Sequence, residues 1–363
     1  MNRKTIRLLQ EILLPITIPL SWLYRVLIFI DRHTKRATKL DSHLVVSVGN
    51  LTVGGTGKTP FVSFLGDWIE KDRHGSRITV LSRGYRAALS SVGAQVQLDS
   101  EASQVGDEPL WLKTTHPNWN ILIGSDRVST YQKYSGNEES IVILDDGFQH
   151  HKIKRDLDIV LIDSMDLLGN QFLLPAGPLR EDKSAIKRAD KVVFTKYRED
   201  YHEKCERLSE ELIKHNPDLD FYKSFMICKG LKLVSKTHKK IESIEYLIKN
   251  KILPFRDKKI FAFCGIGNPG SFRSWFENPQ DPLYCPNMTF QEFPDHYGYP
   301  AQVKMDIIKR RDEFDFFITT EKDATKWNHD GMELDKLYSI SIGIRLETFE
   351  SSKTPTLQSF LNL

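Results

Sequence analysis

The sequence predicts an α/β protein: a doubly wound, mostly parallel sheet, a second and smaller α/β domain, and a helical N-terminal segment of different character. Three observations predict it. Short apolar, β-branched runs alternate with stretches of helical periodicity from about residue 44 to about residue 220. The first of those runs ends in a glycine-rich loop that opens a helix. The alternation restarts near residue 260 without another such loop.

The chain has 363 residues, enough for two domains with cores of their own. We place their limits at 1–36 for membrane-associated helices belonging to the N-terminal domain, 37–222 for the main domain and 223–363 for the smaller one. A net charge of +3 is too small to argue for nucleic acid, and none is expected as a partner. The four cysteines (Cys205, Cys228, Cys264, Cys285) are far apart and lack metal-ligand spacing, so they read as buried or free thiols in a reducing compartment.

Residues 1–40 are basic: Arg3, Lys4, Arg7, Arg25, Arg32, Lys35, Arg36 and Lys39 stand against Glu11 and Asp31 alone. Leu8, Leu9, Ile12 and Leu13 form an apolar stripe. Pro15 and Pro19 are expected to interrupt it, and Ser21 to cap a second helix from Trp22 to Ile30. No small-residue cleavage site follows, which argues against a signal peptide. A full span is allowed by length but weakened by the prolines and by Arg25. We therefore expect a pair of short helices in the membrane interface, with Trp22 and Tyr24 at headgroup depth. The competing expectation is a hydrophobic hairpin packed on the protein's own core.

Next comes Leu44–Val48, a buried strand, then Gly54, Gly55, Gly57, Lys58 and Thr59, then a helix with Phe61, Phe64, Leu65, Trp68 and Ile69 on one face. Strand, glycine loop and helix make a phosphate-binding loop, expected to span Thr52, Val53, Gly54, Gly55, Thr56, Gly57, Lys58 and Thr59. Its amides cradle phosphate, Lys58 reaches the β- and γ-phosphates, and Thr59 ligates Mg²⁺. Thr52 departs from the strict pattern, which has glycine there. Val53 stands where a variant loop carries lysine. The fold class is thus P-loop NTPase-like, with ATP and Mg²⁺ as the expected cofactors.

A second strand, Ile78–Leu81, ends at Arg83 and Arg86, which are phosphate ligands or solvated charges. Gly106-Asp107-Glu108-Pro109 opens a short helix; its carboxylates are a cap or, beside a phosphate loop, a base and a metal ligand. Strand Asn120–Ile123 runs into Gly124–Arg127. Strand Ile141–Leu144 runs into Asp145-Asp146-Gly147, a Walker-B-like element whose carboxylate lies where open α/β sheets bind ligands. Two further strands, Ile159–Ile162 and Lys191–Phe194, flank the proline-rigid loop Leu173–Glu181, in which Arg180 is the candidate anion ligand. Thr195-Lys196-Tyr197-Arg198 approaches the guanine-reading [NT]-K-x-D pattern but has Arg where Asp is needed, which argues against GTP.

Lys223–Val234 reads as extended and linker-like. The smaller domain then carries strand Ile260–Phe263, loop Gly265–Pro269, the Phe293–Tyr297 segment with His296, and strand Asp315–Thr320.

Taken together and in order, VGNLTVGGTGKTP, LSRGY, VGDEP, ILDDGFQHH, LLPAGPLRE, GIGNP, FPDHY and TTEKDA resemble the tetraacyldisaccharide 4′-kinases, the lipid A kinases of Gram-negative bacteria. The resemblance runs from about Val48 to Ala324, and the family's own loop looks like this one at Thr52. It implies transfer of the ATP γ-phosphate to the 4′-hydroxyl of a tetraacyldisaccharide 1-phosphate, giving lipid IV-A. It also implies a protein peripheral on the cytoplasmic face of the inner membrane, with two domains closing on nucleotide; we expect a monomer, although the sequence leaves the oligomeric state open. The lipid disaccharide and the membrane surface are the implied partners.

The roles implied are Asp107 as base assisted by His296, Lys58 as charge stabiliser, and Thr59, Asp145 and Glu108 as magnesium ligands. Asp146 and Gln149 shape the same pocket, and Arg83, Arg127 and Arg180 contact ATP or lipid phosphate. The alternative is a membrane-associated switch ATPase of the partitioning or metal-insertion type, disfavoured by Val53 and by the second domain.

Overall fold

The structure, a computed structural model, describes residues 3–34, 36–73, 76–136, 140–234, 241–250, 252–279, 281–295, 297–327 and 334–361. The chain divides into two compact units: residues 1–226 with 344–363, and residues 227–343. The boundary falls four residues later than expected, and the last twenty residues belong to the first unit (363 − 343 = 20).

The first unit begins with α1 (Arg3–Thr34), followed by β1 (Leu44–Asn50), α2 (Lys58–Asp72), β2 (Arg77–Ser82) and β3 (Ala94–Gln95). Then come α3 (Ala102–Val105), α4 (Asp107–Thr115), β4 (Asn120–Ile123), α5 (Arg127–Tyr134) and β5 (Ser140–Asp145). It continues with β6 (Leu157–Asp163), β7 (Lys191–Thr195), α6 (His202–Ile213) and β8 (Asp220–Leu233). Its sheet has the order β8-β7-β6-β1-β5-β2-β4-β3, parallel throughout except for β3 on β4.

Alternation along the strands explains the two covered faces. Val46, Val48, Val80 and Ile143 pack with Phe61 and Leu65 of α2 and Leu112 of α4. Val45, Leu81, Val142 and Leu144 pack on the other side with Tyr131 of α5. The approach on the α2 side is close: a Cβ on Gly66 would lie 2.1 Å from the Trp119 ring, so only glycine fits there.

The expected break in the N-terminal helix is corrected by the structure. α1 is one helix with both prolines inside it. Proline costs a helix a backbone donor and crowds the preceding turn. Here the hydroxyls of Thr17 and Ser21 lie 3.0 Å from the carbonyls of Leu13 and Thr17, the local back-bonding typical of these residues inside a helix. Ser21 is therefore an interior helical residue and not a cap. Its single hydroxyl proton is shared between the Thr17 carbonyl and the Leu173 carbonyl at 2.9 Å, and its oxygen accepts from the Ala176 N–H at 3.2 Å, docking α1 on the proline-rich loop. The packed hairpin is excluded for this segment: Ile16, Trp22, Leu23, Leu27 and Phe29 are 56–67% exposed.

The linker-like stretch is strand β8, which carries the chain from the first unit into the second. The second unit adds β9 (Ile241–Ser243), α7 (Ile244–Lys249), β10 (Ile260–Cys264), α8 (Pro269–Arg273) and β11 (Met288–Glu292). α9 (Ala301–Ile308), β12 (Phe316–Thr320), α10 (Glu321–Trp327) and β13 (Leu337–Thr348) follow. Strands β11-β10-β12-β13 are parallel neighbours. Asp323 ties its motifs together, accepting from the Gly265 N–H at 3.0 Å and the Thr320 hydroxyl at 2.7 Å. β13 returns the chain to the first unit, where α11 (Leu357–Leu361) buries Phe360 against Phe61, Trp68 and Tyr222.

Candidate active site

The site forms at the carboxyl ends of parallel strands in the first unit, where an open sheet leaves room for a ligand. β1 is buried along its whole length, then the chain emerges through Thr52 into a loop whose Val53, Gly54 and Gly55 are exposed. Gly57 precedes α2 at φ 81, a left-handed conformation that favours glycine. The loop is held from several directions. The Asn50 side-chain amide donates to the Thr56 hydroxyl at 3.1 Å, and the Gln149 amide donates to the Asn50 carbonyl at 2.9 Å. The Val53 N–H donates to the Pro178 carbonyl at 2.8 Å, while Thr52 bridges to Leu179.

β5 lies beside β1, with Asp145 in register with Val48, so the two acidic residues open next to the loop. They face different surroundings. Asp145 is buried; Ser82 donates to its Oδ2 at 3.3 Å, and its Oδ1 is buried without a partner among the described residues. Burial, then the charges of Glu108 and Asp146, push its carboxyl up to about 7 against the pull of Lys58 and Arg127. Asp146 takes φ 53, and its carboxylate meets cations instead. One guanidinium nitrogen of Arg180 donates to both its oxygens, at 2.9 and 2.8 Å, and Lys58 Nζ lies 3.4 Å away. Burial alone would raise the Asp146 carboxyl; Lys58 and Arg180 override it and hold the group below the usual carboxylate range.

Arginines fix the backbone of this turn. Arg127, at the start of α5, is buried and donates to the Asp146 carbonyl at 3.2 Å. Burial lowers its affinity for its proton, and Asp146 and Asp145 oppose that. Arg155 donates to the carbonyls of Gly147 and Phe148, both at 3.2 Å. Arg188 stacks over the Phe148 ring at 4.4 Å and is paired with Glu181 at 3.0 Å.

α4 brings the second acidic pair in. The Thr59 hydroxyl donates to Glu108 Oε2 at 2.9 Å, so the start of α4 meets the start of α2. Asp107 is half-buried in that first turn. At the other end of α4, His116 hydrogen-bonds the Ser63 hydroxyl at 2.7 Å, lies 3.2 Å from Asp67, and stacks on Trp119 at 3.7 Å. The two helices are therefore braced at both ends.

Comparison with known proteins decides the family. The sequence model described as tetraacyldisaccharide-1-P 4′-kinase (LpxK) matches residues 13–361. The chain belongs to this kinase family. A relative named tetraacyldisaccharide 4′-kinase from Halothermothrix orenii is 34% identical over 316 residues, covering 84% of this chain and 80% of the relative. One of the same name from Pelobacter propionicus is 32% identical over 366 residues, covering 97% and 92%. The crystal structure of LpxK from Aquifex aeolicus in complex with ATP is similar to this chain, with a TM-score of 0.68, 28% identity and coverage of 97% of this chain and 99% of that one.

In this member of the LpxK family, Lys58, Thr59, Glu108, Asp145, Asp146, Arg127 and Arg180 are linked by the contacts above, and Gln149 supports the loop strand from behind. Arg83 is exposed at the end of β2, where its charge acts on Arg127. His296 lies outside the described residues. For Mg²⁺ the donor chemistry fits. The Thr59 hydroxyl, Asp145 and Glu108 are hard oxygen donors, and the unpartnered Asp145 Oδ1 is the buried oxygen a cation would satisfy. Among the described residues no group of three or more His, Cys, Asp or Glu is placed to hold a metal ion.

Sequence reasoning missed Asn50, Ser82, Arg155, Arg188 and the loop-directed role of Thr195 and Lys196. Asn50 was legible as a polar residue ending an apolar strand. Lys196 was legible in the fragmentary T-K pattern, which was read only for what it lacked.

Proposed function

We propose that this protein transfers the γ-phosphoryl group of ATP to the 4′-hydroxyl of a tetraacyldisaccharide 1-phosphate, forming lipid IV-A. The observation that carries this is the Thr59–Glu108 hydrogen bond, because it puts the Asp107-Glu108 pair beside the phosphate loop. A lone phosphate loop suits many nucleotide proteins; a second carboxylate pair at its mouth supplies a base.

A sugar hydroxyl is a poor nucleophile until a base takes its proton as it attacks. Asp107, on the first turn of α4, is that base, and His296 is the assistant that the family resemblance gives it. Lys58 trades its ion pair with Asp146 for the β- and γ-phosphates, and Arg180 stays near the same charge. The loop amides stabilise the transferring group. Bound through Thr59, Asp145 and Glu108, Mg²⁺ would neutralise charge across the β- and γ-phosphates. Arg83 and Arg127 serve substrate phosphate from the β2 and α5 side, directly or through Asp146.

The exposed apolar side of α1 supports attachment to a membrane surface; we assign that surface, from the family resemblance, to the cytoplasmic face of the inner membrane, where the acyl chains of the substrate remain in the bilayer. The test is a mass-spectrometric assay with Mg-ATP and tetraacyldisaccharide 1-phosphate in detergent. The expected product is heavier by one phosphoryl group, and Asp107→Ala is expected to lose it by at least ~10²-fold. Product from both proteins would remove Asp107 as base. ATP hydrolysis by folded protein without lipid product would favour a switch ATPase instead.

A further inference from the structure

The Thr195-Lys196 fragment is the motif left without a task. Thr195 ends β7, is buried, and donates its hydroxyl to the Thr56 carbonyl of the phosphate loop at 2.8 Å. Lys196 follows at φ 52, a left-handed conformation that is costly for a residue with a Cβ. Strain of that kind persists where the surroundings over-determine it, and here they do. Lys196 Nζ donates to the Gly55 carbonyl at 2.6 Å and to Asp163 Oδ2 at 2.6 Å. Asp163 ends the neighbouring strand β6 in register with Thr195, and its Oδ1 accepts from the Met165 N–H at 2.9 Å. Both carboxylate oxygens are thus engaged. On the far side the Tyr197 N–H donates to the Ser224 carbonyl at 3.0 Å, which pins the turn.

Planar trans peptides make this grip consequential. A carbonyl and the N–H of the same peptide point in opposite directions. Gripping the carbonyls of Gly55 and Thr56 from the β7 side therefore turns the N–H groups of Thr56 and Gly57 away from β7. It also keeps two carbonyl dipoles from facing a phosphate. The Thr56 N–H makes a 3.2 Å contact with the Gly54 carbonyl within the loop, a long bond that a phosphate oxygen is well able to replace.

We infer that Lys196, oriented by Asp163 and assisted by Thr195, is a positioning residue that clamps the phosphate-loop backbone in its anion-binding form. It acts on the nucleotide through the loop and does not read the base. The inference rests on the reading above that this loop holds the ATP phosphates. It assigns the two lysines of the site different work: Lys58 meets phosphate, and Lys196 holds the carbonyls that would repel it.

The experiment measures MgATP, MgADP and tripolyphosphate binding by calorimetry, together with Tm and the KM for each substrate. The proteins are wild type, Lys196→Met, Lys196→Arg, Asp163→Asn and the Lys196→Met/Asp163→Asn double variant. Lys196→Met keeps the stem and loses the donor. It is expected to weaken all three phosphate ligands about tenfold or more and to raise KM for ATP in step. The KM for lipid and the Tm are expected to stay as in wild type. Lys196→Arg should retain part of the affinity. Asp163→Asn should lose part of it, and the double variant should be no worse than Lys196→Met alone, as for two members of one device. Wild-type affinity in Lys196→Met overturns the clamp. So does a parallel loss of Tm and lipid KM, which would mark a structural role only. Wild-type protein that fails to bind MgATP would overturn the nucleotide reading itself, and the clamp with it.

Discussion

At Asp145 a metal ion and a proton compete for the same carboxylate. Its carboxyl is pushed up to about 7 by burial and by the charges of Glu108 and Asp146, against the pull of Lys58 and Arg127. Binding Mg²⁺ requires the ionised form, so below that pH each metal ion bound must displace a proton. Apparent Mg²⁺ affinity is therefore expected to fall by up to about tenfold per pH unit on going below neutrality, and to level off above it. Magnesium titrations of ATP turnover across that range would check this, and an affinity flat with pH would take Asp145 out of the ligand set. Residues such as Lys58, Thr59 and Asp145 were legible because each belongs to a contiguous pattern whose chemistry is local. The support around them was not. Lys196 meets Gly55 across 141 positions, and nothing in either neighbourhood announces the other.

At the scale of elements, the core strands β1, β2, β4, β5, β6, β7, β10 and β12 and the phosphate-loop helix are legible because apolar runs and period-3.6 patterns leave a mark in a single segment, whereas the short strands β3 and β9, β11, and the strand character of β8 are not. α1 was misread for a related reason. Two prolines announce a break locally, yet α1 runs through both, and the contacts that dock it, from Ser21 to Leu173 and Ala176, lie 152 and 155 positions away. The helix that results offers a continuous apolar face. Trp22 and Leu27 are 67% and 56% exposed, so replacing both by Asp should leave Tm unchanged while releasing the protein from vesicles containing anionic lipid. The loss is expected to be on the order of a hundredfold in partitioning, from about 1.5 kcal/mol or more per large apolar side chain. Vesicle sedimentation reads the outcome. Unchanged binding would mean that another surface makes the attachment.

Across the whole molecule, the two units and their α/β character follow from the order of elements, but the path of the last strand does not. Nothing in the composition of 337–363 tells which core its apolar residues complete. The structure places Leu346, Leu357, Phe360 and Leu361 in the first unit's core. A fragment ending at residue 226 therefore lacks part of its own interior. It is expected to unfold without a cooperative transition, while the same fragment joined by a short linker to residues 344–363 regains one. Circular dichroism against temperature distinguishes the two. Cooperative unfolding of the shorter fragment would show that the returning segment is dispensable.

The docking of Ser21 also bears on how deep the protein sits. Ser21 lies midway along the apolar stretch Leu13–Ile30, bonded to the backbone of Leu173 and Ala176. Were α1 to cross a bilayer end to end, that irregular loop would be carried to mid-depth, into hydrocarbon with no water to satisfy its backbone. On the proposal that α1 meets a bilayer, a helix pinned at its midpoint to such a loop would lie on its side and disturb one leaflet. A lipid of that leaflet would then reach the protein by lateral diffusion alone, its acyl chains never leaving the layer in which they arrived.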